Sequence, residues 1–255
     1  MSLALGLASP DRRPLPALAP MRAQNAPQGG LKYWLALSAA SVLGANIGDL
    51  FASVFGFLVG LPLLAAAFGA TLWLEKRAAR PTLGFYWAAI FLVGTVAANL
   101  AEFTGQTFGP LAFAAPAVLL GATFLKRDAV RGSGDLPEVG ALYWLRMVIA
   151  GTLGAALGDY SSLMSGLGST MASMILFGGV AALIAARRLG LVGATLSFWA
   201  IVIAIRAAGT SLGDLSAHGI GLASSAAFAA IVMLAIVFFK APRPAPDFAA
   251  RAALA

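Results

Sequence analysis

The stretch Gly44-Ala-Asn-Ile-Gly-Asp49 is the first of four copies of one phrase, in which two small residues four positions apart precede a carboxylate. A tryptophan lies fifteen residues before each acid. The other three copies are Ala97-Ala-Asn-Leu-Ala-Glu102, Gly154-Ala-Ala-Leu-Gly-Asp159 and Gly209-Thr-Ser-Leu-Gly-Asp214, and the four tryptophans are Trp34, Trp87, Trp144 and Trp199. Repetition at a fixed period decides the architecture, so the chain is predicted to contain four equivalent units.

Composition indicates a membrane protein. Of the 255 residues, 60% are hydrophobic and only 11% are charged, whereas soluble domains carry roughly 25% charged residues. Nearly uncharged stretches of about 20 residues recur, which is the length that crosses a bilayer core. Cysteine is absent, which excludes disulfides, thiolate metal sites and cysteine nucleophiles in this chain.

Each unit of about 55 residues reads as two apolar helices joined by a short turn rich in Gly, Ser and Thr. We therefore predict an all-α integral membrane fold, with eight transmembrane helices arranged as four parallel-oriented tandem hairpin repeats. The predicted segments are a disordered N-terminal tail (1–30), repeats 1 and 2 (31–127), a polar linker (128–140), repeats 3 and 4 (141–240) and a C-terminal tail (241–255).

The net charge of +7 reads as a topology signal. Lys and Arg residues precede the first apolar stretch and follow each hairpin, and the turns inside the hairpins contain none. The positive-inside rule then places both termini in the cytoplasm, in a bacterial inner membrane. The aromatic-Trp pair that opens each unit is expected to form an interfacial belt on that side. A nucleic-acid partner is not expected.

The paired small residues predict close helix packing, since small-xxx-small spacing lets helix backbones approach in lipid. These packing positions are Gly44, Gly48, Ala97, Ala101, Gly154, Gly158, Gly209 and Gly213. The acid that follows each pair would then lie at a tight helix junction.

Asp49, Glu102, Asp159 and Asp214 are the candidate functional residues. An acid near a helix end can be solvated at the membrane surface, where a charge costs less than at the bilayer centre. Four acids at one spacing instead favour a convergent cluster that binds a cation or carries protons. Because crowded carboxylates rarely all stay ionised, at least one is expected to hold a proton when the site is empty.

Three further types of residue add to this set. Arg206 is a charge within the membrane, read either as part of a buried ion pair or as a gating counter-charge for the acids. His218, one turn after Asp214, is a solvated loop residue or a ligand, and Asn46 and Asn99 would supply neutral oxygen ligands. An oxygen-rich, sulfur-poor set suits Mn²⁺, Mg²⁺ or Ca²⁺, and its principal metal ligands would be Asp49, Asp159 and Asp214.

The repeat motifs resemble those of a family of bacterial multi-pass proteins known as "uncharacterized membrane-anchored protein". That family pattern has four aromatic-Trp … Gly-Asp copies, with an Arg before the last one, as Arg206 stands here. The resemblance covers roughly residues 31–240 and departs at Glu102, where Asp is more usual, and in the N-terminal tail. It implies the architecture and carries little about mechanism.

The sequence therefore predicts a secondary transporter that exports a divalent cation such as manganese in exchange for protons. Enzyme motifs are missing, and neither enzymatic activity nor a cofactor is expected. The predicted partners are the lipid bilayer, a small cation and protons, and a homo-oligomer is left open. Two alternatives remain: a non-transporting scaffold or assembly factor held by buried ion pairs, and a transporter of a small organic cation or metabolite.

Overall fold

The computed structural model describes residues 30–78, 82–109, 111–125 and 136–238, and all regular structure within those ranges is helical. The predicted tails and most of the predicted linker lie outside these residues. The helices are α1 (Leu31–Arg77), α2 (Leu83–Phe108), α3 (Leu111–Leu125), α4 (Ala141–Asp159) with a π-helical turn (Tyr160–Met164), α5 (Gly168–Arg188), α6 (Ala194–Ile220) and α7 (Leu222–Phe238).

Five helical stretches are long and apolar enough to cross a membrane: Leu31–Arg77, Leu83–Phe108, Ala141–Ser162, Gly168–Arg188 and Ala194–Ile220. Helices α3 and α7 are apolar but shorter. The prediction of a helical membrane protein with internal repeats is supported at this level.

A glycine with positive φ interrupts the chain at the same place in each repeat. Gly56 breaks the helical geometry inside α1, and Gly109, Gly166 and Gly221 lie at the ends of the corresponding segments. Each stands seven residues after the repeat acid. Positive φ is readily adopted only by glycine, so these glycines fix where each first helix ends. They all fall at or next to the predicted hairpin turns.

The first helix of each repeat belongs to a central ring, in which α1 contacts α2, α2 contacts α4, α4 contacts α6 and α6 contacts α1 again. Such head-to-tail contacts close into a ring when the rotation between units is right. The ring joins the predicted first half of the chain to the second, because α6 packs directly on α1.

The predicted packing residues make these contacts in one register. A Cβ added to Gly44 would lie 3.0 Å from the Gly94 carbonyl carbon, and one added to Gly154 would lie 2.5 Å from the Arg206 Cβ. The equivalent contacts between the other neighbouring ring helices join Gly209 to Ser41 and Gly151 to Ala97. In all four cases the tenth residue after one tryptophan meets the seventh residue after the next.

The second small residue of three of the pairs is also close to a neighbouring helix. A Cβ on Gly158 would lie 2.6 Å from the Ala207 carbonyl oxygen, and a Cβ on Gly48 would lie 2.9 Å from the Asn99 amide nitrogen. Gly213 faces Asn46 in the same way. The glycines therefore serve helix packing. The close contacts between the ring helices are made by these small residues and not by the acids that follow them.

The aromatic-Trp pairs close one end of the ring with a layer of side chains. Each leading aromatic packs on the tryptophan of the next repeat, with ring centroids 5.6 to 5.8 Å apart. These pairs are Tyr33–Trp87, Tyr86–Trp144, Tyr143–Trp199 and Phe198–Trp34. All four tryptophans are at most 8% exposed. The rings predicted to form an interfacial belt are thus buried between the repeats.

The remaining helices form an outer layer that follows the same cyclic order. α3 packs on α4, α5 on α6 and α7 on α1, so each covers the first helix of the next repeat. Buried polar contacts pin them: Arg146 Nη2 donates to the Thr123 carbonyl oxygen at 2.8 Å, and the Ser173 and Ser211 hydroxyls lie 3.0 Å apart.

Candidate functional site

The four repeat acids line one cavity of about 800 Å³ at the end of the ring opposite the aromatic layer. Asp49 comes from α1, Glu102 from α2, Asp159 from the end of α4 and Asp214 from α6. They converge because every acid occupies the same position of its repeat, fifteen residues after the tryptophan and seven before the turn glycine. Because the four first helices form a closed ring, the four acids lie at the same height along that ring.

The carboxylates are half-buried rather than sealed in the protein. Gln106 Nε2 donates to Glu102 Oε1 at 3.2 Å, one helical turn away. The Asp214 Oδ2 atom is buried and has no hydrogen-bond partner among the described residues. The acids therefore keep acceptor capacity for a ligand or a proton.

The walls between the acids are mainly apolar. They consist mostly of alanines from the ring helices, with Leu157, Phe113 and Tyr160. Phe113 of α3 meets Tyr160 of the π-helical turn edge to face, with ring centroids 5.6 Å apart. A π-helical turn inside a helix frequently marks a functional site, and this one follows Asp159 directly. The cavity thus combines four carboxyl groups with an aromatic pair and small side chains.

The three aspartates predicted as metal ligands share the cavity but do not form a compact cluster. Within the described ranges, no group of three or more His, Cys, Asp or Glu side chains is placed to hold a metal ion. A dehydrated divalent cation needs its oxygen ligands at about 2.0 to 2.6 Å. Asp49, Asp159 and Asp214 would have to approach one another to provide them.

Asn46 and Asn99 lie outside the cavity wall, in the interface between ring helices. Both are at most 1% exposed. Asn46 Nδ2 donates to the Ser225 hydroxyl of α7 at 2.6 Å, and Asn99 Nδ2 donates to the Thr95 carbonyl oxygen at 3.1 Å. Because their side chains face the preceding repeat's glycines, they stand in the packing contact and not among the cavity-lining residues.

His218 is exposed and does not line the cavity. Helix α6 continues to Ile220, so His218 does share a face with Asp214, as the spacing predicted. Its Nδ1 lies 2.7 Å from the Asp214 backbone carbonyl oxygen. The contact is with the main chain and not with the carboxylate.

Arg206 is buried in the ring, between the aromatic layer and the cavity. Its Nη2 donates to the Ile90 carbonyl oxygen at 3.1 Å, and its guanidinium occupies a slot that any side chain at Gly94 would fill. Its Nε and Nη1 have no hydrogen-bond partner among the described residues. Arg206 therefore donates to a main-chain carbonyl of the unbroken helix α2, and it makes no ion pair with the four acids in the described part of the chain.

Sequence reasoning missed two parts of this region. The turn glycine seven residues after each acid was visible as a further fixed position of the repeat. The Tyr33, Tyr86 and Tyr143 hydroxyls also converge, 2.6 to 3.4 Å apart. Their shared place directly before each tryptophan was a signal that they would meet in the ring.

Comparison with known proteins identifies the repeat. Residues 197–241 match a family model described as a Repeat of Unknown Function (DUF347). The match covers α6 and α7, which together form the fourth repeat. No curated protein and no solved structure matches the chain. The family match thus supports a repeat-containing protein and assigns it no activity.

Proposed function

We propose that this protein is a secondary transporter that moves a cation across the membrane in exchange for protons. The observation that carries the proposal is the convergence of Asp49, Glu102, Asp159 and Asp214 on one cavity within an apolar helical ring. Ionisable groups inside a membrane bundle are costly, and where they persist they commonly mark ion and proton pathways.

The proposal includes the topology predicted from the sequence. Gly56 divides α1 into two helical parts, and together with α2 to α7 these give eight segments in four pairs. Basic residues stand at the ends of second helices, as Lys76 and Arg77 do in α1 and Arg187 and Arg188 do in α5. The positive-inside rule then places these ends, both termini and the aromatic layer on the cytoplasmic side of a bacterial inner membrane.

Alternating access requires a site that is open toward one side of the membrane and closed toward the other, and the two ends of the ring fit this requirement. The aromatic layer and the Arg206 guanidinium fill the ring on one side of the acids, and the cavity occupies the other. We propose that this arrangement is the state open toward the cavity end. Transport would then require the aromatic layer to part, and Arg206, about 12 Å along α6 from the acid level at 1.5 Å per residue, would act as the gate.

Exchange follows from competition for the carboxylates. A cation that pairs with them displaces their protons, and protons delivered from the opposite side release the cation. Mn²⁺ is the substrate that the oxygen-rich residue set predicts, and it belongs in the first panel of cations tested.

The test uses purified protein in vesicles that carry a proton gradient, with internal pH read by a trapped dye. Addition of a transported cation should dissipate the gradient with the wild type and not with Asp159→Asn at equal incorporation. A folded wild type that responds to no cation in the panel would remove the transporter proposal. Loss of folding in the variant would favour the scaffold alternative, in which the acids serve packing.

A further inference from the structure

We infer that the substrate of this cavity is an organic cation, with a protonated amine or quaternary ammonium group on an apolar body, rather than a bare metal ion. The inference rests on the proposed function and names the substrate class of the same site. It follows from the size of the cavity, the chemistry of its walls and the spacing of its charges.

Size is the first argument. A volume of about 800 Å³ falls within the roughly 300 to 1,000 Å³ of pockets that enclose drug-sized ligands. A divalent metal ion is instead held by oxygens drawn in to about 2.0 to 2.6 Å, and no group of acids in the described residues is placed to do so.

Wall chemistry is the second argument. Between the acids the surface consists largely of alanine methyl groups and of Leu157, Phe113 and Tyr160. Water or a hydrated metal gains little from such walls, whereas an apolar body gains roughly 25 cal/mol for each Å² removed from water. Aromatic faces also attract organic cations, and paired aromatics are a common means of recognising quaternary ammonium groups.

The third argument is the arrangement of unpaired charge around these walls. Four carboxylates come from four different helices, and Asp214 Oδ2 is buried with no partner among the described residues. Arg206, which is buried between the aromatic layer and the cavity, makes no ion pair with them in the described residues. The cavity therefore presents a net negative, partly apolar surface, which is complementary to a cation with an apolar body.

Gly105 provides the means to test this placement. It lines the cavity on α2, and a Cβ added there would meet no atom within 4 Å. Gly105→Phe would therefore project a ring toward the cavity without disturbing helix packing. Gly69→Phe is the matched control, because Gly69 is also a helical glycine with open space around its Cβ and lies outside the cavity lining.

The experiment measures dissipation of a proton gradient in vesicles containing the wild type or either variant. The probes are tetramethylammonium, ethidium and methyl viologen as organic cations, and Mn²⁺, Mg²⁺ and Ca²⁺ as metals. We expect the organic cations to dissipate the gradient and the metals not to. Gly105→Phe should lower the flux with ethidium relative to tetramethylammonium by about tenfold, equal to about 1.4 kcal/mol of lost binding, and Gly69→Phe should leave the ratio unchanged.

The outcomes separate this inference from the proposed function. Proton flux with a metal and with none of the organic cations would overturn the inference and leave the transporter proposal standing. No flux with any cation would overturn both. Organic cation flux with an unchanged ratio in Gly105→Phe would show that the substrate does not occupy this cavity.

Discussion

The two ends of the helical ring are built from the same repeat, yet one end is filled by side chains and the other encloses a cavity. At the aromatic end, Tyr33, Tyr86, Tyr143 and Phe198 fill the centre and the tryptophans fill the spaces between helices. At the acid end, small side chains line the wall and leave about 800 Å³ open. A bundle that needed only stability would be filled at both ends, because protein interiors pack with few voids.

Unpartnered polar atoms occur at both ends. The three tyrosine hydroxyls at the filled end are bonded to one another, but the Trp144 and Trp199 Nε1 atoms there have no hydrogen-bond partner among the described residues, and neither does Asp214 Oδ2 at the open end. The two ends therefore differ in how completely side chains fill them. Substitutions at the two ends should accordingly affect different properties.

The largest loss of stability is expected from Gly154→Leu, in the filled part of the ring. A Cβ at this position would lie 2.5 Å from the Arg206 Cβ and 2.6 Å from the Ile203 carbonyl oxygen. Since backbone atoms cannot move aside locally, α4 and α6 must separate, at a cost of about 3 kcal/mol. Thermal unfolding of the purified protein in detergent measures the change.

Gly178→Leu is the matched control for that substitution. Gly178 lies in the interior of α5 and has open space where its Cβ would be. It should keep the wild-type transition temperature. Equal losses in the two variants would show that the ring contacts do not dominate stability.

A gain of stability is expected from Arg206→Met. Arg206 is 2% exposed, and two of its guanidinium nitrogens have no partner among the described residues. Burial of an uncompensated charge is unfavourable, and replacing buried charged groups by apolar residues has stabilised other proteins by about 1 to 4 kcal/mol. We expect about 2 kcal/mol at this site, with loss of the proposed transport.

Arg146→Met tests whether the predicted gain is specific to Arg206. Arg146 is also buried, but it donates to both oxygens of Thr123 and lies over the Phe124 ring. Its replacement should destabilise the docking of α3 on α4 by about 1 to 3 kcal/mol. A loss of stability in Arg206→Met of the same size would mean that Arg206 holds the ring together.

Part of this arrangement could be predicted from the sequence and part could not. The spacing of Gly154, Gly158 and Asp159 predicted both the helix contact and the acid beside it, because a repeat in a closed ring carries each position to one level. It could not predict which side chains the contact would enclose. Asn46 and Asn99 both lie three residues before their acids, but the Asn46 amide donates to Ser225 of α7 whereas the Asn99 amide donates to its own helix. That choice depends on how the outer helix turns, which the apolar sequence of α7 does not specify.

A loss of about 1 kcal/mol is expected from Tyr86→Phe at the aromatic end. The Tyr86 and Tyr143 hydroxyls lie 2.6 Å apart, the shortest distance in the triangle, and Tyr33 lies 3.1 Å from Tyr86. The ring would remain packed, as Phe198 already is at the fourth position. Tyr160→Phe is the control, since Tyr160 is 48% exposed at the cavity, and the same loss there would point to a general effect of the hydroxyl.

The smallest change in stability is expected from Asp159→Asn at the acid end, although it should have the largest effect on transport. The Asp159 carboxylate lines the cavity and is half-buried. An amide of the same shape therefore leaves the packing intact, and the free energy of unfolding should stay within about 0.5 kcal/mol of the wild type. A clear loss of stability would mean that the acid is needed for folding, which is what the scaffold alternative requires. An unchanged transition temperature together with lost proton exchange would place the role of the acid in the cavity, and would separate the two ends of the ring by function as well as by packing.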